Sequence, residues 1–288
     1  MTYEMENIAR GIRKRVLSHV LANNGGYMSQ ACSSAELLSV LYGGGLHFAE
    51  VDTPIDPPVF TGVPHIGDHS YVTGAQFYGA KSAELDRLII SPAHYALVVY
   101  AALIETGRLR EDALNFFNKD GSTVEMIGAE HSPGFETTTG SLSQALSQAG
   151  GIALARKLRG ESGKTWVFMS DGEFQEGQTW EALAASSFHR LSKLRVIVDV
   201  NKAQCDGPMD TVMSIEPLAE RIRSFGWAVS VVDGTFAFRY FLCSERTERQ
   251  TTCSALLHGS SAWTSTSCRA CSCAALSQIY WCRRARKV

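Results

Sequence analysis

The amino-acid sequence predicts an α/β protein: a mostly parallel β-sheet with helices on both faces. Three observations carry that reading. The runs TWVFM (165–169), LRVIVDV (194–200) and WAVSVVD (227–233) are apolar and strand-length, as expected of strands buried on both faces. Segments with helical patterning separate them, which is how parallel strands are connected. The chain has 288 residues, 45% hydrophobic and 19% charged, enough to bury one large core or two small ones.

The elements follow in order. Residues 2–22 read as an amphipathic helix with Ile8, Ile12, Val16, Val20 and Leu21 on one side. A turn from Asn23 to Gly26 leads to Ser33-Ser34-Ala35-Glu36, which has the form of a helix cap ahead of LLSVLY. Residues 44–83, rich in Gly, Pro, Asp and Thr, read as a long surface excursion. From Ser91 the segment PAHYALVVYAALIETG predicts a helix apolar on nearly every face, and therefore buried. Helices are expected at Gly140 to Arg159, Gln175 to Arg190 and near Glu216 to Phe225, alternating with the three strands.

Composition changes abruptly after residue 234. Six of the eight cysteines (Cys243, Cys253, Cys268, Cys271, Cys273 and Cys282) lie in the last segment. Residues 235–288 hold eight of the 27 Lys/Arg but two of the 29 Asp/Glu, so the body is acidic and the tail basic. Stretches such as HGSSAWTSTSCRACSCAALSQ show no sustained helical or strand period. A metal site at Cys268, Cys271, Cys273 and His258 is one reading, but a structural zinc site needs a paired second half. The preferred reading divides the chain into a domain at 1–234 and an anomalous Cys/Ser/Arg-rich tail at 235–288. That tail is taken as non-native, as from a shift of reading frame near Thr235.

The overall charge of -2 argues against nucleic acid or an anionic membrane as the main partner. No apolar run approaches the roughly 18 to 20 residues that span a bilayer. The charged start, MTYEMENIARGIRKRV, lacks the apolar stretch of a secretory signal, so the expected location is cytoplasmic.

In a parallel sheet, ligands bind at the carboxyl ends of the strands. After 165–169 comes Ser170-Asp171-Gly172-Glu173 and a helix start. The carboxylate suits a hard cation, the glycine permits close approach, and helix N–H groups suit an anion such as phosphate. At the next strand end stands Asp199-Val200-Asn201-Lys202-Ala203, where an amide oxygen and a loop carbonyl offer further hard ligands. An Asp-Gly pair alone is as often a turn and a helix cap; its pairing with Asn201 strengthens the cation reading.

These segments, SDGEFQEGQTWEALAASS followed by VDVNKAQCDGPMD, resemble the thiamine diphosphate signature of the transketolase family. PGFETTTGSLSQALSQAGGIALA, LDRLIISPAHYALVVYAAL and SIEPLAERIRSFGWAVSVVDG are similar to three further family segments, so the resemblance spans roughly residues 5–234. It implies the thiamin diphosphate-binding fold and a two-carbon ketol transfer from a ketose donor to an aldehyde acceptor. It also implies thiamine diphosphate with Mg2+ or another divalent cation. The length is that of the N-terminal subunit of split bacterial transketolases. Such a subunit needs a C-terminal, pyrimidine-binding partner, expected here in an α2β2 assembly. Carried over position by position, Asp171, Asn201 and the carbonyl of Ala203 hold the cation. Gly172 and the Glu173 amide meet the diphosphate, and Gly140, Ser141 and Leu142 lie against the cofactor rings. His94 stands near the reacting centre, and Glu176 communicates with the opposite active site.

The chain also departs from the family pattern. Ser170 replaces the first signature glycine, and Ser143 and Ala145 replace two more. Family histidines align with Tyr27, Met126 and Thr235. Those changes imply an altered substrate, substitutes such as His65, His69 or His131, or lost activity. The alternatives are a non-catalytic subunit that keeps the fold, or another thiamine-dependent enzyme such as a 2-oxo acid dehydrogenase alpha subunit. A dinucleotide-binding protein is disfavoured, because no G-x-G-x-x-G follows a strand.

Overall fold

The computed structural model describes residues 2–62, 71–233 and 254–259. Helices α1 (Thr2–Asn23) and α2 (Met28–Val40) lead through the long excursion to strand β1 (Arg87–Ile90) and helix α3 (Ala96–Glu105). There follow α4 (Gln144–Leu158), β2 (Thr165–Ser170), α5 (Gly177–Phe188) and β3 (Leu194–Val200). A small hairpin, β4 (Ala203–Gln204) with β5 (Gly207–Pro208), precedes α6 (Met209–Val212), α7 (Leu218–Ser224), β6 (Ala228–Asp233) and β7 (Ser254–Gly259).

The main sheet has five strands in the order β1-β2-β3-β7-β6, every pair parallel. Strand alternation sorts its side chains onto two cores. Leu88, Ile90, Trp166, Phe168 and Ile197 join the core formed with α1, α2 and α3. Ile89, Val167, Met169, Val196 and Val198 join the core under α4, α5 and α7. Burial on both faces is why these strands are apolar without alternation, and the expected α/β class and parallel sheet stand. Ala96 to Ile104 of α3 are all buried, in line with the apolar pattern of that segment.

Several boundaries differ from expectation. Helix α2 starts at Met28, so Ser33-Ser34-Ala35-Glu36 lies inside it and caps nothing. Ser34 Oγ donates to the carbonyl of Gln30 one turn back (2.6 Å), and Glu36 pairs with Arg13 of α1. β1 was not expected, because its four residues run into the apolar helix with only Ser91-Pro92 as punctuation. Helix α4 begins at Gln144 rather than Gly140, since Ser143 is left-handed (φ 74°). Residues 171–175 form a 3-10 turn ahead of α5.

The composition break at 235 is not a break in the sheet: β7, from within the tail, lies between β3 and β6. Six residues are too short for a periodicity window dominated by Ser, Cys and Arg to register. Cys268, Cys271 and Cys273 lie outside the described residues.

The excursion is tied down at its end. Gly74 donates to the carbonyl of Glu130 (2.7 Å) and accepts from Gly134 (3.0 Å). A Cβ at Gly74 would lie 1.8 Å from the carbonyl oxygen of Ser132, so only glycine fits. Among the described residues, no helix is long and apolar enough to cross a membrane.

Candidate functional site

The candidate residues gather at the carboxyl ends of β1, β2 and β3. Register sets Ser170, the last residue of β2, beside Asp199 of β3, and Asp171 follows at once. Asp171 is buried, and its Oδ2 accepts from the backbone N–H of Lys202 (2.8 Å). This bond joins the Asp171 turn to the loop carrying Asn201 and Ala203. Asn201 Oδ1 in turn accepts from the Ala203 N–H (2.9 Å), folding that loop back, with Lys202 left-handed at its centre (φ 58°). The three proposed cation ligands therefore share one junction between neighbouring strand ends.

Burial pushes the Asp171 carboxyl up to about 7; the N–H of Lys202 pulls it down, while the Asp199 carboxylate pushes it further up. Asp199 is fully buried on the α2–α3 face, where its Oδ2 accepts from Ser33 Oγ (2.6 Å) and Tyr95 OH (3.0 Å). Among the described residues, no Lys, Arg or His forms an ion pair with Asp171. Asp171, a buried carboxylate beside Asp199 and without an ion-pair partner of its own among the described residues, stands in an environment that a divalent cation would compensate. Carboxylate, amide and carbonyl oxygens are hard donors that fit magnesium. A Cβ at Gly172 would meet only the end of the Gln204 side chain, with Nε2 at 3.2 Å. The residues present thus fit the cation and an adjoining diphosphate.

Gly140, Ser141 and Leu142 form an exposed loop over the same end of the sheet. On one side Thr139 Oγ1 donates to the carbonyl of Ile90, the end of β1 (2.7 Å). On the other, the Ser143 N–H donates to Glu173 Oε1 (2.9 Å). Leu142 exposes an apolar side chain there (39%), suited to an aromatic ring.

His94 sits in the 3-10 turn after β1, half-buried, with its ring edge-on to Tyr95 (5.1 Å between centroids) and Tyr27 (6.0 Å). Burial lowers its pKa, favouring the neutral imidazole. Gly128, two residues after Met126, donates to the carbonyl of Ala93 (3.0 Å). Tyr27 thus flanks the turn that carries His94, and the segment after Met126 is bonded to that turn. His131 instead contacts Glu125 (3.0 Å) and packs on Phe60. His65, His69 and Thr235 lie outside the described residues.

Two glutamates follow Asp171 in the chain. Glu176 is exposed at the start of α5, and its side chain makes no hydrogen bond or ion pair with the other candidates among the described residues. The Glu173 side chain, given no role from sequence, is fully buried, and burial raises its pKa. Its signal was legible: Ser170 and Glu173 have the spacing of a capping box, and both its bonds are present. Ser33 and Tyr95 could not be found this way, since they meet Asp199 across 166 and 104 residues of sequence. A cleft lined by Lys81, Arg87 and Glu136 opens at the start of β1, the opposite end of the sheet.

Comparison with known proteins gives a consistent result. Residues 78–239 match the family model described as the transketolase, thiamine diphosphate binding domain. A putative uncharacterized transketolase family protein of Sinorhizobium fredii is 37% identical over 227 residues, 78% of this chain and 72% of that protein. A 6-deoxy-6-sulfo-D-fructose transketolase subunit of a Clostridium species is 31% identical over 80% of this chain and 74% of its own length. The crystal structure of transketolase from Campylobacter jejuni superposes with a TM-score of 0.72 at 21% identity, a likeness of fold. It covers 89% of this chain but 37% of that one, so the chain spans little more than a third of that transketolase.

Proposed function

The chain belongs to the transketolase family, and on that premise we propose that it is the diphosphate-binding subunit of a transketolase-type transferase. The reaction is transfer of a two-carbon ketol unit from a ketose or ketose phosphate to an aldehyde or aldose. The observation that carries this reading is the junction of buried Asp171 with the Asn201–Ala203 loop.

Asp171, Asn201 and the Ala203 carbonyl would hold Mg2+, and Gly172 with the Glu173 N–H would meet the diphosphate. Gly140, Ser141 and Leu142 would lie against the rings. When bound, thiamine diphosphate supplies the carbon nucleophile and electron sink for breaking the bond beside a ketose carbonyl. The polypeptide holds and orients these groups and moves protons. His94, kept neutral by burial, is suited to exchange a proton with a sugar hydroxyl. Glu176, exposed at the start of α5, is suited to address a neighbouring subunit.

Relatives named as transketolase subunits support a divided enzyme. We therefore propose a C-terminal, pyrimidine-binding partner in an α2β2 assembly, working in the cytoplasm. The domain is taken as 1–234 completed by β7, with the rest of 235–288 foreign to it. A test mixes the chain, partner, cofactor and Mg2+ with ketose donors and aldehyde acceptors, and follows chain-extended products by mass. Products that require both subunits support the reading; none from any pairing, with assembly intact, opposes it.

Tyr27 and Met126, standing where the family has histidines, favour one second reading: a non-catalytic subunit. Cofactor uptake without turnover by the assembled complex would be its signature.

A further inference from the structure

A buried polar cluster lies behind the candidate site, and Glu173 is its hub. Its Oε1 accepts from Ser143 N–H (2.9 Å) and from the Ser91 hydroxyl. Its Oε2 accepts from Ser170 N–H (2.8 Å) and Ser170 Oγ (3.3 Å). The Glu173 carbonyl accepts from Thr179 Oγ1 (2.7 Å), which also meets Ser143 Oγ (2.8 Å). Ser91 follows β1, Ser170 ends β2, and Ser143 closes the exposed loop before α4. One carboxylate thus fastens three chain segments that are far apart in sequence.

The fastening has a local consequence. Ser143 is left-handed, a conformation that a non-glycine residue holds only when its surroundings fix it. The bond from its N–H to Glu173 supplies that constraint. The loop at Gly140, Ser141 and Leu142 ends on Ser143, so its path over the strand ends depends on the same bond. Asp171 and Gly172 lie between Ser170 and Glu173, so the clamp spans the turn on which the cation and diphosphate would sit.

We propose that the Glu173 side chain is a positioning residue that registers the ring-facing loop against the diphosphate-facing turn. This rests on the cofactor reading above. Glu173 touches neither cation nor ring; it acts through Ser143 and Ser170. Its backbone N–H has a separate role, so a side-chain substitution tests the clamp alone.

The test uses the full chain with the partner subunit that supports wild-type binding. Thiamine diphosphate is titrated at fixed Mg2+, and hydrogen exchange is read at the Ser143 amide without cofactor. Glu173→Gln is nearly isosteric but offers one acceptor oxygen in place of two, so one backbone N–H faces an amide NH2. Cofactor affinity should fall at least about tenfold, the worth of one hydrogen bond to a charged group, and exchange at Ser143 should accelerate. A purely structural role would lower the melting temperature and leave affinity unchanged well below it, which overturns the proposal. If Glu173→Gln does not fold, Ser91→Ala decides: it frees one bond on Oε1 and should weaken affinity about threefold. Unchanged affinity there also overturns the proposal. The two readings fail differently. A wild-type chain that takes up no cofactor ends the functional reading, and the proposal with it. Wild-type uptake with a variant of equal affinity ends only the proposal.

Discussion

Asp171 is a carboxylate held where it is least stable as an anion. In the folded protein its pKa is raised from 3.8 to about 7. Folding therefore favours its protonated form. Below the unfolded pKa the group costs nothing; as pH rises towards 7 the folded state loses up to about 4 kcal/mol through this one residue. Without divalent cation, Asp171→Asn should flatten the fall in melting temperature between pH 5 and 8. Mg2+ with thiamine diphosphate should raise the melting temperature of the wild type and leave that of the variant unchanged. An unchanged pH slope in the variant would show that Asp171 is not the strained group. His94 makes a different prediction, because it lies in the turn after β1, outside the Asp171 junction, and its proposed role is proton exchange with substrate. With an active assembly, His94→Asn should lower kcat at least about tenfold and leave cofactor affinity within about twofold. An equal loss in both would make His94 a cofactor contact.

Among the elements, the expected helices and strands hold where burial alone decides them. β3 was legible over its full length because every residue from Leu194 to Val200 is buried. The helix start at α2 was not, because Ser33 and Ser34 carry a cap's chemistry but spend it elsewhere: Ser33 on Asp199, Ser34 on its own helix. β1 was hidden by the apolar helix that follows it. The loop connections were also invisible, since a composition rich in Gly and Pro says where the chain turns but not what it touches. Gly74 is the clearest case. Gly74→Ala would push a methyl group into the carbonyl of Ser132, so it should cost about 3 kcal/mol or more in urea unfolding. A cost under about 1 kcal/mol would mean that the 128–135 segment is free to move away.

Across the whole molecule, the sheet joins what composition separates. β6 pairs with β7 and with no other described strand, and β7 comes from the tail. A chain ended at Asp233 should therefore lose hydrogen-exchange protection in β6 while β1 and β2 keep theirs. Full protection in β6 would mean that β7 is dispensable to the sheet. The sequence motifs put Asp171 and Asn201 at the ends of two strands, and the structure pairs those strands. They could not reveal the Glu173 hub or the Asp199 contacts, which depend on side chains meeting across the fold.

The central claim is that this end of the sheet takes up thiamine diphosphate with a divalent cation. Its most direct test is calorimetric titration of the full chain with thiamine diphosphate and Mg2+, alone and with a pyrimidine-domain subunit, using Asp171→Ala as control. Saturable binding that needs Mg2+ and is lost in the variant is the result expected. A folded chain that binds nothing, even with a partner present, would contradict the account.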